Sequence, residues 1–261
     1  MHNLDDIALL SPLRKKNTHL KMLIVLFCII AGVLSPSPVT PLFIGVVMIF
    51  ITLFFGKVPK KFYLKLLFAT MGFAFISAVM IALFSGGILG DVIFSYKLFF
   101  INIVLTTNSL NHSILIFSRA FGGLCSIFFL SMTTPMLEMF SIMKRVKFLN
   151  TFSELVMLIY RYIFVFLELL INIRAAQTMR FGYDNTKSAL NSLSMLVSSL
   201  FIKTMDQGDK LFLAMNSRCY EGKMKYFEPC YKITFTDTIA ALVFVVSVIA
   251  VFYFTMNFRF F

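Results

Sequence analysis

LLFATMGFAFISAVMIALF, residues Leu66 to Phe84, runs for nineteen residues without a charged side chain, close to the ~20 apolar residues a helix needs to cross the hydrocarbon core of a bilayer. Lys57, Lys60, Lys61 and Lys65 precede it and Ser85-Gly86-Gly87 follows it, so a basic edge opens the helix and a turn closes it. Further apolar runs of about span length cover His19–Leu34, Val39–Phe55, Ser113–Met132 and Thr238–Thr255. With 59% hydrophobic and 14% charged residues, the composition lies far from the roughly 45–50% and 25% of soluble domains. A water-soluble fold of this size has too little interior for that much apolar surface. The sequence therefore predicts an all-α integral membrane protein of about five transmembrane helices.

The loops orient it. Four basic residues, Arg14, Lys15, Lys16 and Lys21, lie before or at the start of the first span and four lie between the second and third, whereas Lys97 alone lies between the third and fourth. By the positive-inside rule the amino terminus is cytoplasmic. Ser35-Pro36-Ser37-Pro38 breaks helix continuity and turns the chain between the first two spans. The mixed stretch 88–111, with Asp91 and Lys97, predicts an exported loop carrying a surface or re-entrant helix. The fourth span returns at Thr133-Thr134-Pro135, ahead of Lys144, Arg145 and Lys147. Arg119, near its outer end, reads as a cation snorkelling to the interface rather than a functional pair. No cleavable signal peptide is expected, because six charged residues fall within the first 21. Cys28, Cys125, Cys219 and Cys230 have no metal-ligand spacing and read as free thiols.

Leu155–Ile173 has the length of a span, but Glu154, Arg161 and Glu168 recur every seven residues on one helical face. An ionised residue at mid-bilayer costs about 2.5–3.5 kcal/mol, and a span here would export the segment 174–232. The stretch is expected to lie at the cytoplasmic surface. The predicted organisation is four spans in 1–135, a cytoplasmic module in 136–237, and a last span in 238–261. Within the module, residues 183–213 carry an amphipathic pattern, and a second segment after Lys203, with Gly208 as a break or a close-packing point, predicts two helices in series. Two helical stretches end alike, in Ala176-Gln177-Thr178-Met179-Arg180-Phe181-Gly182 and in Ala214-Met215-Asn216-Ser217-Arg218-Cys219-Tyr220-Glu221-Gly222. Each places an arginine four residues after an alanine. Spacing alone leaves two readings: cations capping helix C-termini, or a repeated docking element.

Asp5, Asp6, Ala8, Ser11-Pro12, His19 and Lys21, Thr133-Thr134-Pro135 with Glu138, Tyr160-Arg161-Tyr162 and both arginine clusters resemble the transmembrane T component of energy-coupling factor transporters, in particular its CbiQ branch. The likeness covers most of the chain. The clusters look like the family's paired Ala-Arg-Gly motifs at the ends of two coupling helices, although Phe181 and Cys219 stand where the glycines belong, and Gly182 and Gly222 lie close by. The resemblance implies a scaffold without catalysis of its own. It would bind two cytoplasmic ABC ATPases (CbiO-like) through Ala176, Arg180, Gly182, Ala214, Ser217, Arg218 and Gly222. It would also bind a substrate-binding membrane subunit (CbiM-like, with a small CbiN-like subunit). No cofactor is expected on this chain; ATP and Mg would sit on the partners. The implied cargo is cobalt or nickel, with a vitamin importer of the biotin, thiamine or riboflavin type as the alternative. Glu138, Glu154, Arg161 and Glu168 are expected on the cytoplasmic polar face.

Other classes find little support in the residues. No Gly-x-x-x-x-Gly-Lys-Ser/Thr loop occurs to cradle phosphates, since Gly86-Gly87-Ile88-Leu89-Gly90 lacks the lysine. His2, His19 and His112 are scattered, so no metal-ligand set is expected. The spans lack the convergent ionisable groups of a membrane protease, and no inverted repeat or mid-membrane carboxylate suggests a stand-alone secondary transporter. The net charge of +12 is spread over loops where topology already demands cations, so no nucleic-acid partner is expected.

Overall fold

The computed structural model describes residues 4–84, 92–98, 101–143, 150–221 and 235–255. The chain divides into two compact units, 1–138 with 229–261, and 139–228.

The first unit begins with α1 (Leu4–Leu10) and a 3-10 turn (Pro12–Lys15). Asn17 then caps α2 (Thr18–Leu34) by accepting the His19 N–H at 2.9 Å. The Ser-Pro-Ser-Pro turn behaves as its prolines dictate, and α3 (Val39–Phe50) starts directly after it. A π-turn at Ile51–Phe55 ends α3, closed by Gly56. There follow α4 (Lys60–Phe84), β1 (Val92–Leu98), β2 (Ile101–Thr106), α5 (Thr107–Thr133) and the first residues of α6 (Met136–Met143), within which the unit boundary falls, and the unit is completed by α9 (Phe235–Phe254). Helices lie at all five stretches predicted to span. Val25, Cys28, Ile44, Met48, Cys125, Phe129 and Val248 form a core where α2, α3, α5 and α9 meet. The α3–α5 crossing is close because both partners are small at the contact. A Cβ on Gly122 would lie 2.6 Å from the Pro41 carbonyl oxygen, and one on Gly45 would enter the Phe121 ring. Around the helices, side chains such as Phe68, Phe73 and Leu242 point outward and exposed, as a lipid-facing surface requires.

Three expectations are corrected in these elements. The surface or re-entrant helix expected within 88–111 is instead an antiparallel hairpin, with Lys97 opposite Asn102 and Leu98 opposite Ile101. The β-branched and aromatic residues of VIFSYKL and INIVLT suit a strand better than a helix. Asp91 lies outside the described residues, as do Gly86, Gly87, Lys144, Arg145, Lys147, Cys230 and Arg259. Arg119 is not a lone cation but is held by the backbone of a neighbouring helix end. Its Nη2 donates at 2.7 Å to the Ser35 carbonyl at the C-terminus of α2, where a cation meets the negative end of the helix dipole. Cys28, Cys125 and Cys219 are free thiols, as expected.

The second unit contains α7 (Asn150–Met179) and α8 (Thr186–Asn216), helices of 30 and 31 residues joined by a turn. Here lies the third correction: α8 passes through Gly208 as one helix, not two. A single glycine costs only about 1 kcal/mol in a helix interior, too little to divide one this long. By length and hydropathy Thr151–Met179 qualifies as a span alongside Lys60–Ala82, Thr107–Thr133 and Phe235–Phe254, while Thr18–Leu34 and Val39–Phe55 are shorter apolar helices.

Candidate functional site

The two arginine clusters fold into the same structure. At the end of α7 the Gly182 N–H donates to the Gln177 carbonyl at 2.9 Å and the Phe181 N–H to that of Thr178 at 3.1 Å. At the end of α8 the Tyr220 N–H donates to the Met215 carbonyl at 3.2 Å and the Cys219 N–H to that of Asn216 at 3.1 Å. Each set is a Schellman motif, the nested pair of bonds that satisfies a helix's last carbonyls. In each, the arginine is the last residue before the reversal, and the residue after it takes a left-handed conformation, φ 56° at Phe181 and 54° at Cys219. These are the positions where glycine was missing from the sequence pattern. The backbone that glycine favours is present all the same.

Gly182 serves a different purpose, with an ordinary φ but no room for a side chain. A Cβ there would lie 2.6 Å from Ser192 Oγ and 3.0 Å from the Gln177 carbonyl oxygen. Its own carbonyl accepts from the hydroxyls of Ser188 at 3.1 Å and Ser192 at 2.8 Å. Gln177 Nε2 donates to the Ser192 carbonyl at 2.9 Å, the Tyr183 hydroxyl donates to Gln177 Oε1 at 2.8 Å, and the Arg174 guanidinium lies over the Tyr183 ring. Together these bonds fix the α7–α8 corner. Sequence placed Gln177 within an arginine cluster and Ser188 and Ser192 on a polar helix face but gave none of them, nor Tyr183, a part in the corner, because a hydroxyl's partner across a turn leaves no periodic signal.

Arg180 and Arg218 are exposed, as are Ala176, Ala214 and Ser217, and neither guanidinium has a side-chain partner among the described residues. Ser217 Oγ donates to the Ala214 carbonyl at 3.1 Å, steadying the last turn. Gly222 lies outside the described residues. The arginines stand beyond opposite ends of α8, whose 31 residues at 1.5 Å each make a strut about 46 Å long. Arg161 and Glu168 are also exposed, Glu154 is buried, and Glu168 lines a cleft of about 400 Å3 with Asn172, Lys203, Asp206 and Gln207.

The first unit gathers the polar residues of its amino-terminal segment around Glu138, which is buried. One carboxylate oxygen accepts from Arg14 Nε and the other from the Thr18 hydroxyl, both at 3.1 Å. Asp5 accepts the Met136 N–H at 3.1 Å, so a distant carboxylate caps α6. Lys21 Nζ donates to the Thr133 carbonyl at 3.1 Å and the Ser11 hydroxyl to that of Gly56, also at 3.1 Å, while Ala8 is fully buried. Lys16 pairs with Asp237 at the start of α9. Asp5, Ala8, Ser11, Lys21, Thr133 and Glu138, spread over more than 130 positions of sequence, thus belong to one polar knot at the foot of α5.

Apolar helices of spanning length, together with a paired-helix unit that exposes an arginine at each of its two turns, define a multi-span helical membrane protein. The chain belongs to the CbiQ family of cobalt transport proteins, whose family model matches residues 10–227. It is 42% identical over 245 residues to the putative fused cobalt transport protein CbiMQ of Methanocorpusculum labreanum, covering 94% of this chain and 41% of that one. It is 36% identical over 228 residues to an uncharacterized protein of Methanocaldococcus jannaschii, covering 87% and 84%. It is 29% identical over 106 residues to the cobalt transport protein CbiQ of Salmonella typhimurium, covering 41% and 47%.

Proposed function

We propose that this chain is the non-catalytic transmembrane coupling subunit of an energy-coupling factor importer for cobalt or nickel ions. Arg180 and Arg218 would each anchor one cytoplasmic CbiO-like ATPase, and the first unit would hold a CbiM-like substrate-binding subunit. The single observation that carries the reading is the repeated turn: two helices end in the same motif, each offers an exposed guanidinium with no side-chain partner among the described residues, and the roughly 46 Å length of α8 lies between the two turns. A cap for a helix end would need no such repetition, and one carboxylate groove is too small to receive both arginines. Each guanidinium can make charge-assisted, bidentate bonds to a carboxylate on its own ATPase. When ATP draws the two ATPases together, the rigid corner at Gly182 and the unbroken α8 would carry that motion to the membrane helices. The fused relative's name, joining CbiM and CbiQ, supports the CbiM-like companion.

Exposure of Arg161 and Glu168 favours the surface position for α7, since a span would turn both toward lipid. That position keeps both arginines on the side of the basic loops.

The test is substitution of the anchors. Arg180→Glu or Arg218→Glu is expected to abolish uptake and weaken ATPase co-purification, leaving a partner carboxylate unpaired at a cost of roughly 2–5 kcal/mol, with the double variant worse and membrane insertion intact. Arg→Lys should rescue only partly, because lysine lacks the planar fork. Wild-type uptake and full ATPase binding by the double glutamate variant would remove the coupling role.

A further inference from the structure

The first unit contains a cavity of about 390 Å3 between α2, the π-turn after α3, α5 and α9, walled mainly by apolar side chains, with Ala240 and Ala241 leaving the room on α9. Phe55 on its wall is 60% exposed, so the cavity is open to the outside of the unit beside that ring. Its polar end is basic: Lys16 and Lys21 both line it. Lys21 is only 5% exposed, and the single hydrogen bond its ammonium makes among the described residues is to the Thr133 carbonyl. An ammonium carries three donors, so a nearly buried cation faces an apolar cavity with donor capacity left over. Of the charged side chains that line the cavity, two are cations, Lys16 and Lys21, and one is a carboxylate, Asp237, which pairs with Lys16, so the lining itself carries an excess of one positive charge. An open apolar slot beneath a positive rim, in a unit of membrane-spanning helices, complements one kind of molecule: a chain with an anionic head.

We propose that this cavity is a binding site for an anionic phospholipid of the leaflet that faces the basic amino-terminal segment. Its phosphate would be held by Lys21 and by Lys16, which the headgroup would draw from Asp237, and an acyl chain would lie along Ile24 and Ala241. The lipid would brace α9 against α2, where a solvent-filled slot would leave apolar surface wet.

The full-length chain in detergent is incubated with equimolar phosphatidylglycerol and phosphatidylcholine of identical acyl chains, and retained lipid is read by native mass spectrometry. Phosphatidylglycerol should be retained preferentially. Lys21→Gln should lower its retention roughly fivefold, the worth of one juxtamembrane cation. Ala241→Phe, which fills the slot and leaves every charge in place, should bring it to the phosphatidylcholine level, and so keeps the idea testable should Lys21→Gln fail to fold. Equal retention of the two lipids by the unaltered chain, which is also the outcome if detergent or neutral lipid fills the slot, overturns the proposal. So does undiminished phosphatidylglycerol retention by a folded Ala241→Phe variant.

Discussion

Phe181 and Cys219 hold φ at 56° and 54°, a region that costs a residue with a Cβ roughly 1–2 kcal/mol. The strain falls at equivalent places in two turns, each immediately after an exposed arginine, so the backbone reversal sets the direction in which the arginine leaves the helix. Glycine would relieve the strain but adds about 0.5–1 kcal/mol of chain entropy to be lost on folding. The two effects nearly cancel. Phe181→Gly should therefore leave the melting temperature unchanged or slightly raised and retain ATPase co-purification. Phe181→Val, whose branched Cβ resists a positive φ further, should destabilise by about 1 kcal/mol or more. A glycine variant that melts well below the parent would show that the phenylalanine ring, and not the turn, maintains this site. The arginines were legible in sequence because a spacing of four residues recurs. Their geometry was not: the pattern looked broken at Phe181 and Cys219, and hydrogen bonds from Gly182 and Tyr220 back to Gln177 and Met215 compensate for the absent glycine.

Among the elements, apolar runs marked helix positions well because runs of that length have few other uses, and helices lie at the five stretches expected to span. Local chemistry misled at the two places where it competed with context. Gly208 signals a break, yet thirty neighbours in favourable helical positions outweigh its cost. The stretch 92–106 signals polar mixture, yet its β-branched residues pair as a hairpin with a bulge between Val92 and Phe94. The polar knot at Glu138 was foreshadowed only through family likeness, since nothing in spacing links Asp5 to the Met136 amide. For α7, composition permits a span while Arg161 and Glu168 oppose one. Single cysteines introduced at 187 and 203 should resist a membrane-impermeant maleimide applied from outside, and one near Lys97 should react. External labelling at 187 would make α7 a span and place both arginines on the wrong side for cytoplasmic ATPases.

At the scale of the whole molecule, two bodies of different character share one chain: a packed group of apolar helices tied at its foot by Glu138, and a helix pair with little interior of its own, in which Leu196 and Met157 are among the few buried apolar residues. The first resists deformation. The second has a shape set largely by its helical backbone hydrogen bonds and by the corner at Gly182. Because α8 is unbroken, Arg218 is bound to Arg180 in azimuth as well as in distance. Each residue added to the helix turns everything beyond it by about 100° and advances it by about 1.5 Å. Two residues inserted after Gly208 would swing Arg218 through about 200°, to the far side of the rod, while lengthening it by only about 3 Å. Seven residues would add about 10 Å yet return the arginine to within about 20° of its original heading. Assembly with two ATPases, followed by co-purification across such an insertion series, should therefore rise and fall with helical phase. A smooth decline with length alone would mean that α8 works as a tether and not as a keyed shaft.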